Sequence, residues 1–262
     1  CGEGTQRQFK IAKLNPCKLT RIFLTHLHGD HSFGLPGIMK TLEMSEYSKT
    51  LNIYGPRGTE RHLTLLQQLY GRFNISYRVK EIDNELIINE KHWSIGSQQM
   101  NHTIPTLAYA FMIKEKNKIN KKKLAKLKLP NSPLIGQLQN GRDIIFNNKK
   151  ILAKDLTYTQ KGKKIAIILD TKINDNAYKI AKNADLLICE STYAESEASY
   201  AENYKHLTAK QASTIAKKAR VKSLVLTHIA QRYEHNLKKI ELEAKKVFKN
   251  TKLVKDFSKI II

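Results

Sequence analysis

The segment Thr25-His26-Leu27-His28-Gly29-Asp30-His31 follows directly on the apolar run Arg21–Thr25, and it limits the fold more than any other part of the chain. Three of the nine histidines and one carboxylate fall within six residues. As mere packing such a cluster is costly, because each buried polar group needs its own partner. As a metal site it makes sense. Side chains two apart on an extended segment point the same way, so His26 and His28 can grip one ion where a strand ends. Gly29 lets the backbone turn, and Asp30 and His31 then face a second ion from the start of the next helix. Imidazole and carboxylate without thiolate suit zinc, or manganese or iron, in an open hydrolytic site rather than a closed structural one.

Elsewhere short apolar runs alternate with helical patterns, as in an α/β sandwich. Strands are expected at Arg21–Thr25, Leu51–Tyr54, Ile82–Ile88, His92–Met100, Ala108–Ile113, Lys164–Leu169, Asp185–Cys189 and Ser223–Thr227, with strand character again over Thr251–Ile262. Helices are expected from Gly34 to Leu42, from Thr59 to about Gly71 with Leu63, Leu66, Gln67 and Tyr70 on one face, at Asn176–Asn183, at Thr208–Ala219, and where Leu237, Ile240, Ala244, Val247 and Phe248 recur. Cys1-Gly2-Glu3-Gly4-Thr5-Gln6 reads as the tail of a strand entering a turn, so earlier strands are expected to be missing from this sequence. From Lys114 to Lys128 there are eight lysines against one acid, Glu115. A stretch with so little apolar matter is expected to leave the core as a mobile, positively charged excursion. One domain, residues 1–262, with an arm inserted over residues 114–143, fits better than two domains.

The charge balance points the same way. Lys and Arg number 46 against 23 Asp and Glu, a formal net charge of +23. A taste for lysine on solvated faces is the bland explanation; a polyanionic partner, most often nucleic acid, is the sharper one. Three widely spaced cysteines argue against a disulfide framework and for a reducing, cytoplasmic setting. No run approaches the roughly 18 apolar residues of a membrane span, and no secretory leader pattern is present.

Six residues do not complete two coordination shells. His102 follows a strand, Asp170 ends the apolar run IAIIL, and His228 ends SLVLT. Each is unremarkable singly, but all three sit at strand ends, where open α/β sheets gather ligands. Asp170 is the natural carboxylate to bridge two ions.

The T-H-L-H-G-D-H segment resembles the metallo-β-lactamase superfamily, and its surroundings are similar to ribonuclease Z. Cys1-Gly2-Glu3-Gly4-Thr5-Gln6 matches the family's DCGEGTQ stretch without its Asp, and His31-Ser32-Phe33-Gly34-Leu35-Pro36-Gly37 matches HxxGLPG. Asn101–Tyr109 resembles the third-histidine segment and Thr227–Tyr233 the closing THxSxRY, with Ala230 for Ser. Glu190-Ser191-Thr192 and His206-Leu207-Thr208-Ala209 resemble HEAT and HST, with Cys189 in place of the HEAT histidine. Leu169 stands where Gly usually precedes the bridging Asp.

That resemblance implies an αββα sandwich lacking its N-terminal strands. It implies two zinc ions, one held by His26, His28 and His102, the other by Asp30, His31 and His228, with Asp170 shared. The implied reaction is removal of the 3′ trailer from precursor tRNA by a homodimer whose basic arm grips the tRNA body. Lys121, Lys122, Lys123 and Lys126 of the arm, with Arg232, are the expected RNA contacts. Asp30 is expected to orient the attacking water and take its proton, and His206, backed by Glu190, to protonate the leaving 3′-oxygen. The rival readings are another hydrolase of the superfamily, such as a general phosphodiesterase, and an RNA-binding protein whose metal site has decayed.

Overall fold

The apolar run ahead of the histidine cluster is a strand in the computed structural model, which describes residues 1–262. This strand, β1 (Arg21–Phe23), pairs in parallel with β2 (Leu51–Gly55), and β2 pairs in parallel with β3 (Tyr77–Glu81). Parallel neighbours need crossovers, and helices supply them. α1 (Thr5–Ile11) precedes β1, α2 (Gly29–Ser32) and α3 (Gly34–Met44) join β1 to β2, and α4 (Thr59–Tyr70) joins β2 to β3. Leu51 and Ile53, two apart on β2, pack with Leu35, Ile38, Met39 and Leu42 of α3 and Leu63 and Leu66 of α4.

The chain continues through β4 (Leu86–Asn89), β5 (Trp93–Met100), β6 (Thr106–Ile113), β7 (Lys116–Ile119), β8 (Ile144–Phe146), β9 (Lys149–Ile151) and β10 (Thr157–Gln160). It closes with β11 (Lys163–Ile168), β12 (Leu186–Glu190), β13 (Ser223–Thr227) and β14 (Thr251–Leu253). The later helices are α5 (Lys121–Lys126), α6 (Pro133–Gln139), α7 (Ala153–Leu156), α8 (Asp175–Ala181), α9 (Ala198–Tyr204), α10 (Ala209–Lys218) and α11 (Leu237–Val247). Two compact units result: Cys1–Ile88 with Ile95–Phe111 and Lys164–Ile262, and Asn89–Ser94 with Met112–Lys163.

The larger sheet has the order β14-β13-β12-β11-β6-β5-β4, and β11 to β14 run parallel. Ala177, Ile180, Ala212, Ile215, Ala216, Ile240 and Ala244 of α8, α10 and α11 pack on Ile168, Leu187, Leu224 and Leu226 of its strands. Small alanines let those helices lie close to the sheet. Thr208 starts α10 with a reciprocal capping box to Gln211. Between the two sheets, Phe23 stacks on Tyr54 at 4.9 Å and meets Tyr109 of β6 edge-on at 5.4 Å. The Tyr109 hydroxyl donates to the Leu24 carbonyl at 2.6 Å, and the Leu107 amide donates to the Thr25 carbonyl at 2.8 Å. The layers are therefore helix, sheet, sheet, helix.

Several local expectations differ from what forms. Residues 1–4 turn directly into α1 rather than ending a strand. The polar segment Tyr77–Glu81 is a strand, with no buried residue, because it lies at the edge of its sheet. Tyr70 is exposed, not part of the buried face of α4. Strand structure after β13 covers only Thr251–Leu253, and residues 254–262 form none.

The lysine-rich segment is not a bare excursion. β7 pairs antiparallel with β10, and β8 with β9. Leu129, Leu138, Ile144, Ala153 and Leu156 form a small core of their own, joined by Ile119, Leu124, Leu134, Ile135, Phe146 and Ile151. The anchoring residues come from both ends of the insertion, so no local window shows them. The unit reaches Lys163, twenty residues beyond the arm expected over residues 114–143. Lys121, Lys122, Lys123 and Lys126 are exposed on α5, whose first turn Asn120 caps by accepting from the Lys123 amide. No helix is long and apolar enough to cross a membrane.

Candidate metal centre

Every histidine and carboxylate of the candidate centre lies just past a strand end or in the first turn of α2. His26 is fully buried beyond β1, and Asp30 and His31 occupy α2, held by a 2.9 Å bond from Ser32 Oγ to the His28 carbonyl. The first four residues lie directly against this turn. The Gly34 amide donates to the Cys1 carbonyl at 3.1 Å, and a Cβ at Gly34 would strike the Gly2 carbonyl oxygen. A Cβ at Gly2 would strike the Asp30 carbonyl oxygen in turn. Gly2 and Gly34 thus serve close approach at a candidate ligand turn.

His102 follows β5, Asp170 follows β11 and His228 follows β13. Asp170 has φ of 32° and His228 φ of 53°, left-handed values that cost a non-glycine residue on the order of 1–3 kcal/mol. The backbone reverses there and turns both side chains back over the strand ends.

The structure brings seven of the expected residues together. His26, His28, His102 and Asp170 form one group of potential donors, and Asp30, His31 and His228 another, each with donor atoms within 4.8 Å of one another. Asp170 Oδ2 lies 3.5 Å from His26 Nε2, 3.8 Å from His102 Nε2 and 3.3 Å from His31 Nε2, while its Oδ1 lies 3.3 Å from His228 Nε2. One carboxylate therefore faces both groups. His31 Nε2 and His228 Nε2 stand 3.2 Å apart, and His28 Nδ1 and His102 Nε2 3.4 Å apart. Donors about 2.0–2.1 Å from a tetrahedral ion lie roughly 3.3 Å from each other, so these separations match the edges of such a shell.

Buried polar atoms normally find a partner. His26 Nε2 and Asp170 Oδ1 are buried with no hydrogen bond, and both face the cluster. That orphaned pair, in an oxygen and nitrogen donor set without thiolate, fits a divalent cation.

Burial pushes the His26 pKa down to about 3, against the pull of Asp170, so the ring is a neutral donor at ordinary pH. Burial also lowers His102. Burial opposes ionisation of Asp170, but its bond to His31 and the surrounding imidazoles outweigh it and hold the carboxyl well below the usual range. His31 is held above its ordinary value because Asp170 and Asp30 outweigh burial.

Outer partners orient these rings. Nδ1 of His102 donates to the Lys205 carbonyl at 3.0 Å, and the Lys205 ammonium donates to the His102 carbonyl at 3.0 Å. Nδ1 of His26 lies 3.1 Å from Thr25 Oγ1. Thr192 Oγ1 donates to Glu190 Oε2 at 2.6 Å, so Nδ1 of His228, 3.0 Å away, donates to it and leaves Nε2 free.

Glu190 is fully buried and accepts from the Thr171 amide at 2.7 Å and from His206 Nδ1 at 3.1 Å. Burial alone would lower the His206 pKa, but Glu190 raises it above its ordinary value. One His206 ring nitrogen also lies within 4.8 Å of donors on Asp170 and His228, which places His206 at the rim of the cluster. Sequence reasoning missed Thr192 and Lys205. Thr192 lay visible in the Glu190-Ser191-Thr192 motif, whereas Lys205 acts through its backbone carbonyl and leaves no sequence signal.

Arg232 stays outside the cluster. It pairs with Glu197 at 2.8 Å and lies 5.7 Å from the ring centroids of Tyr193 and Tyr200. Lys121, Lys122, Lys123 and Lys126 belong to the other compact unit. Cys189 is fully buried in the apolar core of the larger sheet, where it packs as a small hydrophobe. Beside His102 opens a cleft of about 1100 Å³, with Arg57 and Lys80 among its lining.

Residues 1–102 match the metallo-beta-lactamase superfamily. Over its whole length the chain is 39% identical to the ribonuclease Z of Lactobacillus helveticus, covering 86% of that protein. It is 36% identical to the ribonuclease Z of Enterococcus faecalis, again over the whole chain and 86% of the relative. Among solved structures, the short form of human tRNase Z superposes with a TM-score of 0.67 at 26% identity, over 98% of this chain and 85% of that one. The metallo-beta-lactamase fold protein YhfI of Bacillus subtilis shares the fold at 18% identity and a TM-score of 0.66, over 98% of this chain and 82% of that one. With this fold, this donor set and these relatives, the chain belongs to the ribonuclease Z family of the metallo-beta-lactamase superfamily.

Proposed function

We propose that this protein is a metal-dependent endoribonuclease that removes the 3′ trailer from precursor tRNA, leaving a tRNA 3′-hydroxyl and a trailer 5′-phosphate. The observation that carries this reading is the convergence of seven imidazole and carboxylate donors on two adjoining groups that face Asp170, with His206, paired to the buried Glu190, at the rim. Two zinc ions per chain are the reading, one on His26, His28 and His102, the other on Asp30, His31 and His228, with Asp170 between them. Bound there, the ions would activate water as a nucleophile and neutralise charge building on the phosphate.

The chain's own groups supply the rest. Asp30 is 60% exposed and lies 3.1 Å from His31 Nε2 and 3.6 Å from His228 Nε2, so it can orient the attacking water and accept its proton. His206, charged through Glu190, gives a proton to the departing 3′-oxygen, which as an alkoxide is a poor leaving group. The Lys-rich unit, through Lys121, Lys122, Lys123 and Lys126, holds the tRNA body by its phosphates, and Arg232 is a further RNA contact. A homodimer and a cytoplasmic setting belong to the same reading, supported by the family resemblance and by three free cysteines.

A general phosphodiesterase acting on small substrates would not need a +23 chain. Mapping the cut on an end-labelled tRNA precursor tests the assignment. A single cut at the trailer junction, lost in Asp30→Ala while tRNA binding persists, is expected. Undiminished cleavage by that variant removes Asp30 from its role, and cuts scattered along the RNA remove the substrate assignment.

A further inference from the structure

Tyr193, Tyr200 and Tyr204 form a row of near-parallel rings that begins beside His206 and runs to the surface. The Tyr193 ring lies 6.1 Å from that of His206. Tyr193 and Tyr200 are 6.3 Å apart at 21°, and Tyr200 and Tyr204 are 6.3 Å apart at 8°. Tyr193 is buried, whereas Tyr200 and Tyr204 are 47% and 56% exposed. Neither exposed ring belongs to an apolar core of the protein. The Arg232 guanidinium, anchored on Glu197, lies against the two inner rings.

This row is fixed to the candidate metal centre by short covalent and hydrogen-bonded links. Tyr200 and Tyr204 stand four apart on α9, hence on one face. The helix ends at Lys205, which bonds His102 through both its carbonyl and its ammonium, and the next residue is His206. Exposed aromatic rings held beside a phosphodiester-cleaving centre suit an unpaired base, because every base has a π face and stacking needs no particular sequence. A net charge of +23 favours RNA over a second copy of this chain as the occupant.

We infer that Tyr200 and Tyr204 form a stacking platform for the base of the nucleotide whose 3′-oxygen departs, the last nucleotide of the product tRNA. The inference rests on the function proposed above. If His206 protonates that oxygen, the nucleoside bearing it lies on the His206 side of the scissile phosphate, where the rings begin. Phosphate contacts would then supply grip, and the platform would set which unpaired nucleotide stops at the cut.

Equilibrium binding of product tRNA, with and without a base on its last nucleotide, tests the platform without turnover. The full-length wild type, Tyr200→Ala/Tyr204→Ala and Tyr200→Phe/Tyr204→Phe are compared. The alanine pair is expected to bind base-bearing tRNA about 5- to 150-fold more weakly, the range for losing one stacked base. Removing the base should cost the wild type the same factor and the alanine pair nothing further, while the phenylalanine pair restores base-dependent binding. Equal weakening on both tRNAs, no weakening, or a changed sedimentation state in the alanine pair overturns the inference, the last by making the rings an interface between copies. Cleavage is scored separately on wild type with a 3′-extended precursor. Base-dependent binding without cleavage would remove the proposed reaction and keep the platform; cleavage with base-independent binding would do the reverse.

Discussion

Glu190→Gln tests the acid half of the proposed chemistry. The carboxylate is fully buried, and His206 Nδ1 donates to it at 3.1 Å. A hydrogen bond to a charged group contributes about 1.5–3 kcal/mol, and one pKa unit corresponds to about 1.4 kcal/mol. Replacing the charge by an amide of the same shape should therefore lower the His206 pKa. His206 must carry its proton to act, so cleavage falls as pH rises through its pKa, which Glu190 holds above the ordinary histidine value. In the variant that fall moves to lower pH, and above it the lost hydrogen-bond energy lowers the rate about 10- to 100-fold. Single-turnover cleavage of end-labelled precursor, followed across about pH 6 to 9, reads both quantities. A nitrophenyl phosphodiester, whose leaving group departs without a proton, should lose at least about tenfold less rate. An unmoved alkaline limb, or equal losses on both substrates, would refute the assignment of His206 as acid and of Glu190 as its partner.

Asp170→Ala removes the one carboxylate that faces both donor groups, and metal content by mass spectrometry should fall to one divalent ion per chain or fewer; retention of two would sink its bridging role. Thr192→Val removes the hydroxyl that receives His228 Nδ1–H, and competition with a chelator should show about 10- to 100-fold weaker metal binding. Unchanged affinity would show that His228 needs no such support. Changing Lys121, Lys122, Lys123 and Lys126 together to Gln should reduce the slope of log affinity for tRNA against log salt by up to about 3.6, near 0.7–0.9 per lost phosphate contact. A slope equal to that of the wild type would place the RNA elsewhere. Deleting the segment would be a poorer experiment, because Ile119, Leu124 and Leu129 belong to the core of that unit.

Much of the candidate centre could be read from the sequence because its donors obey local rules. His26 and His28 alternate on an extended run, Asp170 and His228 each close an apolar strand, and His102 follows the strand β5. Buried parallel strands of the larger sheet such as β11 and β13 were equally clear, since they are continuous apolar runs. What escaped was whatever depends on distant partners. β3 is polar and half solvated at a sheet edge, so neither periodicity nor hydropathy marks it. The small core of the Lys-rich unit draws on positions between Ile119 and Leu156, and the density of lysines hides it. Tyr193, Tyr200 and Tyr204 align only because a turn precedes α9, and a carbonyl such as that of Lys205 has no letter of its own.

The three rings of Phe23, Tyr54 and Tyr109 act as a spacer between the donors that the two sheets carry, His26, His28, Asp30 and His31 on one side and His102, Asp170 and His228 on the other. Tyr109 fastens the Leu24 carbonyl, two residues before His26, to a strand of the opposite sheet. Asp170 and His228 hang from that opposite sheet, so any thinning of the spacer would be transmitted as a change in the gap across which Asp170 must reach. Substitutions in this remote aromatic wedge should therefore behave as coordination mutants, altering the ratio of tightly to weakly held ions before they unfold the protein.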